Sequence, residues 1–216
     1  MLGHLPSYKP EQFAGIAPPG PPPRRPFRTV FMGRTEANKG VFDVVEIARR
    51  LERERPGRYR FDLCGSGGAL DDLRAKVAEL GLTDAVSVHG QCGPEQLRAL
   101  LGASHACIVP TRTVFEAGFE MTCSEAILAG RPLVTSAVCP ALHYLRPASI
   151  EVPPDDVDAY HDAIVRLSDD ATLYDRLQCA TVPLQGQFYD RANSWYAAMR
   201  RAIERHALGR PAMEGG

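Results

Sequence analysis

The stretch TVFMGRTEANKGVFDVVEIARRL, Thr29 to Leu51, decides the fold. Its apolar run Thr29-Val30-Phe31-Met32 stops at Gly33-Arg34 and reads as a buried strand. A polar loop follows. Val41, Val44, Val45, Ala48 and Leu51 then share one helical face, and Pro56-Gly57 ends that helix. A strand, a glycine-bearing loop and an amphipathic helix in that order make the opening of a βαβ unit.

Working outward, the unit recurs. A second strand ends at Leu63-Cys64, and its helix carries Leu70, Leu73, Val77 and Leu80 with Gly81 as C-terminal cap. A third strand, Ala85 to Val88, precedes a helix opened by Pro94, where a missing N–H is no loss. Ala106 to Val109 is strand four. A helix ending at Ala129-Gly130 leads to strand five, Leu133-Val134-Thr135, and Ser149-Ile150-Glu151-Val152 is a candidate sixth. The last third is rich in helices. The expected fold is an α/β, Rossmann-like, doubly wound parallel sheet with a helical C-terminal segment.

Upstream, eight prolines among the first 26 residues give the composition of an extended tether. The expected division is a Pro-rich linker over 1–26, a nucleotide-binding domain over 27–187, and a C-terminal helix and tail over 188–216. A net charge of −1 supplies no bulk field to gather nucleic acid or an anionic membrane, so an anion must be bound locally. No window approaches the roughly 20 apolar residues of a membrane span, and the first residues lack a signal-peptide pattern. Cytoplasmic residence is therefore expected. The six cysteines show no metal-ligand spacing and are read as reduced, mostly core thiols.

In doubly wound sheets ligands bind at the carboxyl ends of the strands. Those ends carry Gly33-Arg34, Gly65-Ser66-Gly67-Gly68, Gly90-Gln91, Thr111-Arg112 and Ser136. Arg34 and Lys39 flank the first loop and can grip a diphosphate by bidentate and point-charge contacts. Gly65 and Gly67 either admit a phosphate to backbone N–H groups or only form a tight turn. Leu70 stands where a dinucleotide fingerprint needs its third glycine, which weakens an oxidoreductase reading. Glu125 is placed to accept hydrogen bonds from a ribose or to be a plain helix-surface acid. Asp156-Val157-Asp158 has the form of a metal-binding D-x-D, yet it follows two prolines and opens a helix, as helix-start acids do. Trp195, Tyr196, Met199 and Ile203 could form an acceptor platform, but their helical spacing is read as a face that packs in the core.

Taken in order, Phe31-Met32-Gly33-Arg34, Lys39-Gly40, Gly65-Ser66-Gly67, Pro110-Thr111-Arg112, Gly118-Phe119, Glu125-Ala126 and the run from Ala129 to Thr135 resemble the C-terminal domain of the family-4, GT-B-fold retaining glycosyltransferases. The resemblance runs from about Phe27 to the end. It implies a donor-binding half-domain taking a UDP- or GDP-linked sugar, with no cofactor and no divalent metal. By resemblance, Arg34 and Lys39 neutralise the diphosphate, with Thr111, Gly65 and Gly67 beside it. Gly118, Phe119, Glu120 and Met121 present backbone to phosphate and sugar, and Glu125 binds ribose. The family spaces two glutamates as E-x7-E. Here Ala117 holds the first position and Glu116 lies one residue earlier, so Glu116 and Glu125 are the candidate catalytic pair. The implied partners are an acceptor (glycan, lipid or small molecule) and an N-terminal half, missing or separate. The alternative is a non-catalytic or partner-assembled nucleotide-sugar-binding module.

Overall fold

A computed structural model of the chain describes residues 5–17, 26–114 and 118–207. Six strands form one parallel sheet: β1 (Phe27–Met32), β2 (Tyr59–Cys64), β3 (Val86–Gly90), β4 (Ala106–Val109), β5 (Leu133–Ser136) and β6 (Ser149–Val152). Their order is β3-β2-β1-β4-β5-β6. The chain runs outward from β1 to β3, then crosses to β4 on β1's other side. The strand order therefore reverses between β1 and β4, and the crevice beyond their carboxyl ends is where such sheets take ligands.

Helices cover both faces, so the strands are apolar on both sides and alternate between two cores. Phe27 and Phe31 of β1, with Ala106 and Ile108 of β4, join the first core. It is covered by α1 (Val41–Glu54), α2 (Leu70–Glu79), α6 (Val157–Asp169) and α7 (Ala171–Gln185). Val30 and Met32, with Cys107 and Val109, join the second, under α3 (Pro94–Ala103), α4 (Met121–Leu128) and α5 (Leu142–Leu145). The helical face expected for α1 is buried in full. Gly81 adopts φ 66°, as a left-handed cap requires. Asp156 caps α6 by accepting the Ala159 N–H at 2.9 Å, so the D-x-D is a helix start. No helix among the described residues is long and apolar enough to cross a membrane.

Three expectations are corrected. Residues 5–17 are not an extended tether: Leu5 and Tyr8 are buried in the second core, and Tyr8 N–H bonds the Phe188 carbonyl at 2.9 Å. The apolar residues between the prolines drive this docking; residues 18–25 lie outside the described part. The cysteines are not all thiols, because Cys64 and Cys92 form a disulfide with Cα atoms 6.0 Å apart. Cys64 ends β2 and Cys92 lies just after the adjacent β3, a neighbourhood that 28 residues of separation conceal. Finally, the apolar face of α8 (Trp195–Ala207) is not core. Trp195, Tyr196, Met199 and Ile203 are exposed, and Ala197 is the buried residue of that helix, since its small side chain lets the helix rest on the domain by the opposite edge.

Candidate functional site

Two loops build one wall of the crevice by backbone contact. Gly33 N–H bonds the Cys64 carbonyl at 3.0 Å, Thr35 N–H the Ser66 carbonyl at 2.9 Å, and Ala69 N–H the Thr35 carbonyl at 3.0 Å. A Cβ on Gly65 would lie 1.6 Å from the Gly33 carbonyl oxygen, and one on Gly67 2.3 Å from that of Thr35. The glycines are thus required for loop-on-loop packing. The Gly65 N–H is itself engaged by the Gly90 carbonyl at 2.7 Å.

The facing wall is the start of α4. Thr122 Oγ1 donates to the Met32 carbonyl at 2.6 Å, which fixes the first turn of α4 against the end of β1. Between the walls lies a cleft of about 260 Å³, whose polar lining includes Arg34, Ser66, Gln91, Thr122 and Glu125. Its floor is Met32, Gly33, Cys64 and Gly65.

Glu125 is half-buried at the back of this cleft and also lines a neighbouring cavity of about 340 Å³ under Tyr8, Phe13 and Arg98. Burial pushes its carboxyl pKa up, and a hydrogen bond from the Tyr8 side chain partly offsets that. The Tyr8 hydroxyl also lies 2.9 Å from Ser124 Oγ. An acid so placed is not an ordinary surface glutamate.

Arg34 is exposed at the cleft rim. Lys39 ends a short 3-10 turn, Ala37–Lys39, and its Nζ meets Glu120 Oε1 at 2.7 Å with both side chains largely covered. Lys39 and Glu120 do not line the cleft themselves, but each lies on a segment that does, the loop that begins at Arg34 and the entry to α4. Gly40 takes φ 72°, and a Cβ there would come 2.4 Å from the Pro110 carbonyl oxygen, so the backbone beside Lys39 is fixed.

The remaining expected residues are dispersed. Thr111 is buried, and its hydroxyl has no hydrogen-bond partner among the described residues. Arg112 bonds Asp155 at 2.9 Å and faces Asp43 at 3.7 Å, turning its charge away from the cleft. Phe119 anchors its ring on Tyr144 and Phe188, at centroid distances of 6.0 and 6.1 Å. Gly118 and Met121 are exposed, and Glu116 lies outside the described residues. Tyr8 and Thr122 were not foreseen. Tyr8 stands in a proline-rich stretch without periodicity, and only the hydroxyl in a first helical turn could have marked Thr122. Among the described residues no group of three or more His, Cys, Asp or Glu side chains is placed to hold a metal ion.

Comparison with known proteins matches residues 16–181 to the family described as glycosyl transferases group 1. An alpha-D-kanosaminyltransferase of Streptomyces kanamyceticus is 30% identical over 162 residues, 74% of this chain and 41% of that protein. A GDP-mannose:cellobiosyl-diphosphopolyprenol alpha-mannosyltransferase of Xanthomonas oryzae pv. oryzae is 27% identical over 188 residues, 86% of this chain and 46% of that protein. The chain thus spans less than half the length of these two relatives. The crystal structure of a pneumococcal O-GlcNAc transferase in complex with UDP and GlcNAc superposes with a TM-score of 0.71 at 19% identity, over 94% of this chain and 38% of that one. With its parallel Rossmann-like sheet and its glycine-locked loops at the carboxyl edge, the chain belongs to the glycosyl transferases group 1 family and has the GT-B type of domain.

Proposed function

We propose that the cleft beyond β1 and β4 binds the nucleoside diphosphate of a UDP- or GDP-linked sugar, and that the chain is the donor half of a retaining hexosyltransferase. The observation that carries this is the convergence of Arg34, the Lys39 loop and the first turn of α4 on one crevice at the point where strand order reverses. The complex of the pneumococcal neighbour with UDP, and the GDP-mannose in the name of the Xanthomonas relative, favour such donors.

In the proposed reaction the bond between the anomeric carbon and the diphosphate oxygen breaks, and negative charge grows on the leaving diphosphate. Arg34, Lys39 and the N–H groups opening α4 stabilise that charge without a metal ion. Glu125 accepts hydrogen bonds from the ribose hydroxyls. Glu116 is the acid proposed to stand in for the first glutamate of the family's pair. An acceptor hydroxyl oxygen forms the new bond on the face of the sugar that the leaving group occupied, and its proton passes to the departing diphosphate.

The acceptor, a glycan, a lipid or a small molecule, is supplied across the cleft by a second half-domain. The exposed stripe Trp195, Tyr196, Met199 and Ile203 on α8 is an apolar surface for that half to cover. Orienting two reactants accounts for roughly 7–11 kcal/mol of barrier lowering, which one wall of a cleft cannot supply. The purified chain is therefore expected to bind donor with negligible transfer. The test is titration calorimetry with a panel of nucleotide sugars, with and without EDTA, beside a product assay at high protein concentration. Saturable, chelator-insensitive binding without product is expected. Binding that EDTA abolishes and magnesium restores would replace the metal-free mechanism, and robust glycosylated product would show a complete catalyst.

A further inference from the structure

We propose that Glu120 is a resident competitor for the donor's diphosphate: its carboxylate holds the cation the diphosphate needs, so donor affinity is set by exchange of Lys39 between the two anions. This rests on the donor reading above. Three observations carry it. The Lys39–Glu120 contact, 2.7 Å, joins the two walls of the crevice and is mostly shielded from water, with side chains 13% and 14% exposed. Lys39 cannot evade the pairing by moving its backbone, because Gly40 is wedged against Pro110 in a left-handed conformation. Glu120, finally, is the residue preceding α4, yet its side chain makes no capping hydrogen bond. An acid at that place ordinarily accepts the helix's first N–H groups. Here the carboxylate goes to Lys39 instead, and the helix opening is left without a side-chain cap.

The consequence is electrostatic. A carboxylate bound by a lysine beside a helix N-terminus occupies the charge environment that suits a phosphate. An incoming diphosphate therefore meets Arg34 and a lysine already neutralised, and it must displace Glu120 to gain the second cation. The diphosphate carries more charge than the carboxylate, so exchange is favourable, at the cost of releasing Glu120 into a region where two anions repel. The side chain thus lowers affinity while keeping Lys39 covered and in place when no donor is bound.

The experiment is calorimetric titration of the full chain and its Glu120→Gln variant with inorganic pyrophosphate, UDP and GDP, repeated in a Lys39→Met background. Glu120→Ser, a good capping residue, serves if the first variant folds poorly. The expected result is affinity for pyrophosphate and diphosphate rising about tenfold on losing the carboxylate, the size of one modest charge contact. Most of that gain should vanish in the Lys39→Met background. Unchanged or weaker binding in Glu120→Gln, with nucleotide binding by the parent chain intact, overturns the competition and leaves the donor reading standing. A gain for pyrophosphate without nucleotide binding upholds the competition and overturns the donor reading. No binding of any of the three probes to either protein overturns both.

Discussion

The amino and carboxyl ends of the same sheet are finished in opposite ways. At the amino end Phe27, the first residue of β1, stacks on His105 with ring centroids 4.8 Å apart, and Tyr174 meets both rings edge-on. Two hydrogen bonds tie that cluster together: Arg28 N–H donates to His105 Nδ1 at 3.0 Å and the Tyr174 hydroxyl to the His105 carbonyl at 3.2 Å. At the carboxyl end there is a cleft, walled by glycine loops on one side and held by a lysine–glutamate pair on the other. One end is aromatic and serves packing. The other keeps charge near water, which costs burial and leaves a place for an anion.

Breaking the carboxyl wall should have the largest effect. Gly65→Ala places a Cβ 1.6 Å from the Gly33 carbonyl oxygen, so the two loops must part. A stability loss of about 4 kcal/mol or more is expected, in the range reserved for core clashes, with nucleotide binding lost. Urea unfolding measures it, and a loss under about 1 kcal/mol would show that the loops are not locked.

The amino end should show itself as pH dependence. Burial, with the charge of Arg131 beside it, pushes the His105 pKa down to about 4 from 6.5. The unfolded chain therefore binds the proton first: stability is full above pH 6.5 and falls as the pH drops toward 4. The loss attributable to this ring is up to about 3 kcal/mol by linkage. His105→Gln should flatten that part of the profile, and an unchanged slope would remove His105 from the account.

Arg34→Ala sharpens the contrast differently. The side chain is exposed, so the melting temperature should hold while nucleoside-diphosphate affinity falls by about 1.5–3 kcal/mol, the worth of a charge-assisted contact. Unchanged affinity would remove the arginine from the site. The smallest effect is expected at Glu125, whose pKa burial raises. A raised carboxyl pKa means the folded state gains stability as pH falls through it and bears a penalty above it. Glu125→Gln should therefore be slightly more stable at neutral pH and less able to bind a ribose. Melting curves across pH and UDP titration check the two halves of that statement.

How much of this was legible in the sequence differs between the ends. Strands are read from short apolar runs, and β4 and β6 have the bounds the sequence suggests, because His105 and Pro110 flank Ala106–Val109 and Pro153 stops Ser149–Val152. The placement of Arg34 at the cleft followed from its position after β1. Contacts between distant segments leave no such trace. Tyr8 reaches Ser124 across 116 positions, and Lys39 reaches Glu120 across 81. Periodicity also says which residues share a face without saying whether anything covers it, which is why the α8 stripe was assigned to the core. Gly65 and Gly67 were visible as special, but whether for a ligand or for a neighbouring backbone is decided only by the loop that approaches them.

The proposed donor site at the carboxyl end can be probed residue by residue. The most direct measurement is amide chemical-shift mapping of the labelled chain titrated with UDP and GDP. Saturable shifts are expected at Gly33, Arg34, Ser66, Gln91 and Thr122, with the amides around His105 and along α8 unmoved. Shifts confined to α8 or the amino end, or none at millimolar nucleotide, would contradict the proposed site.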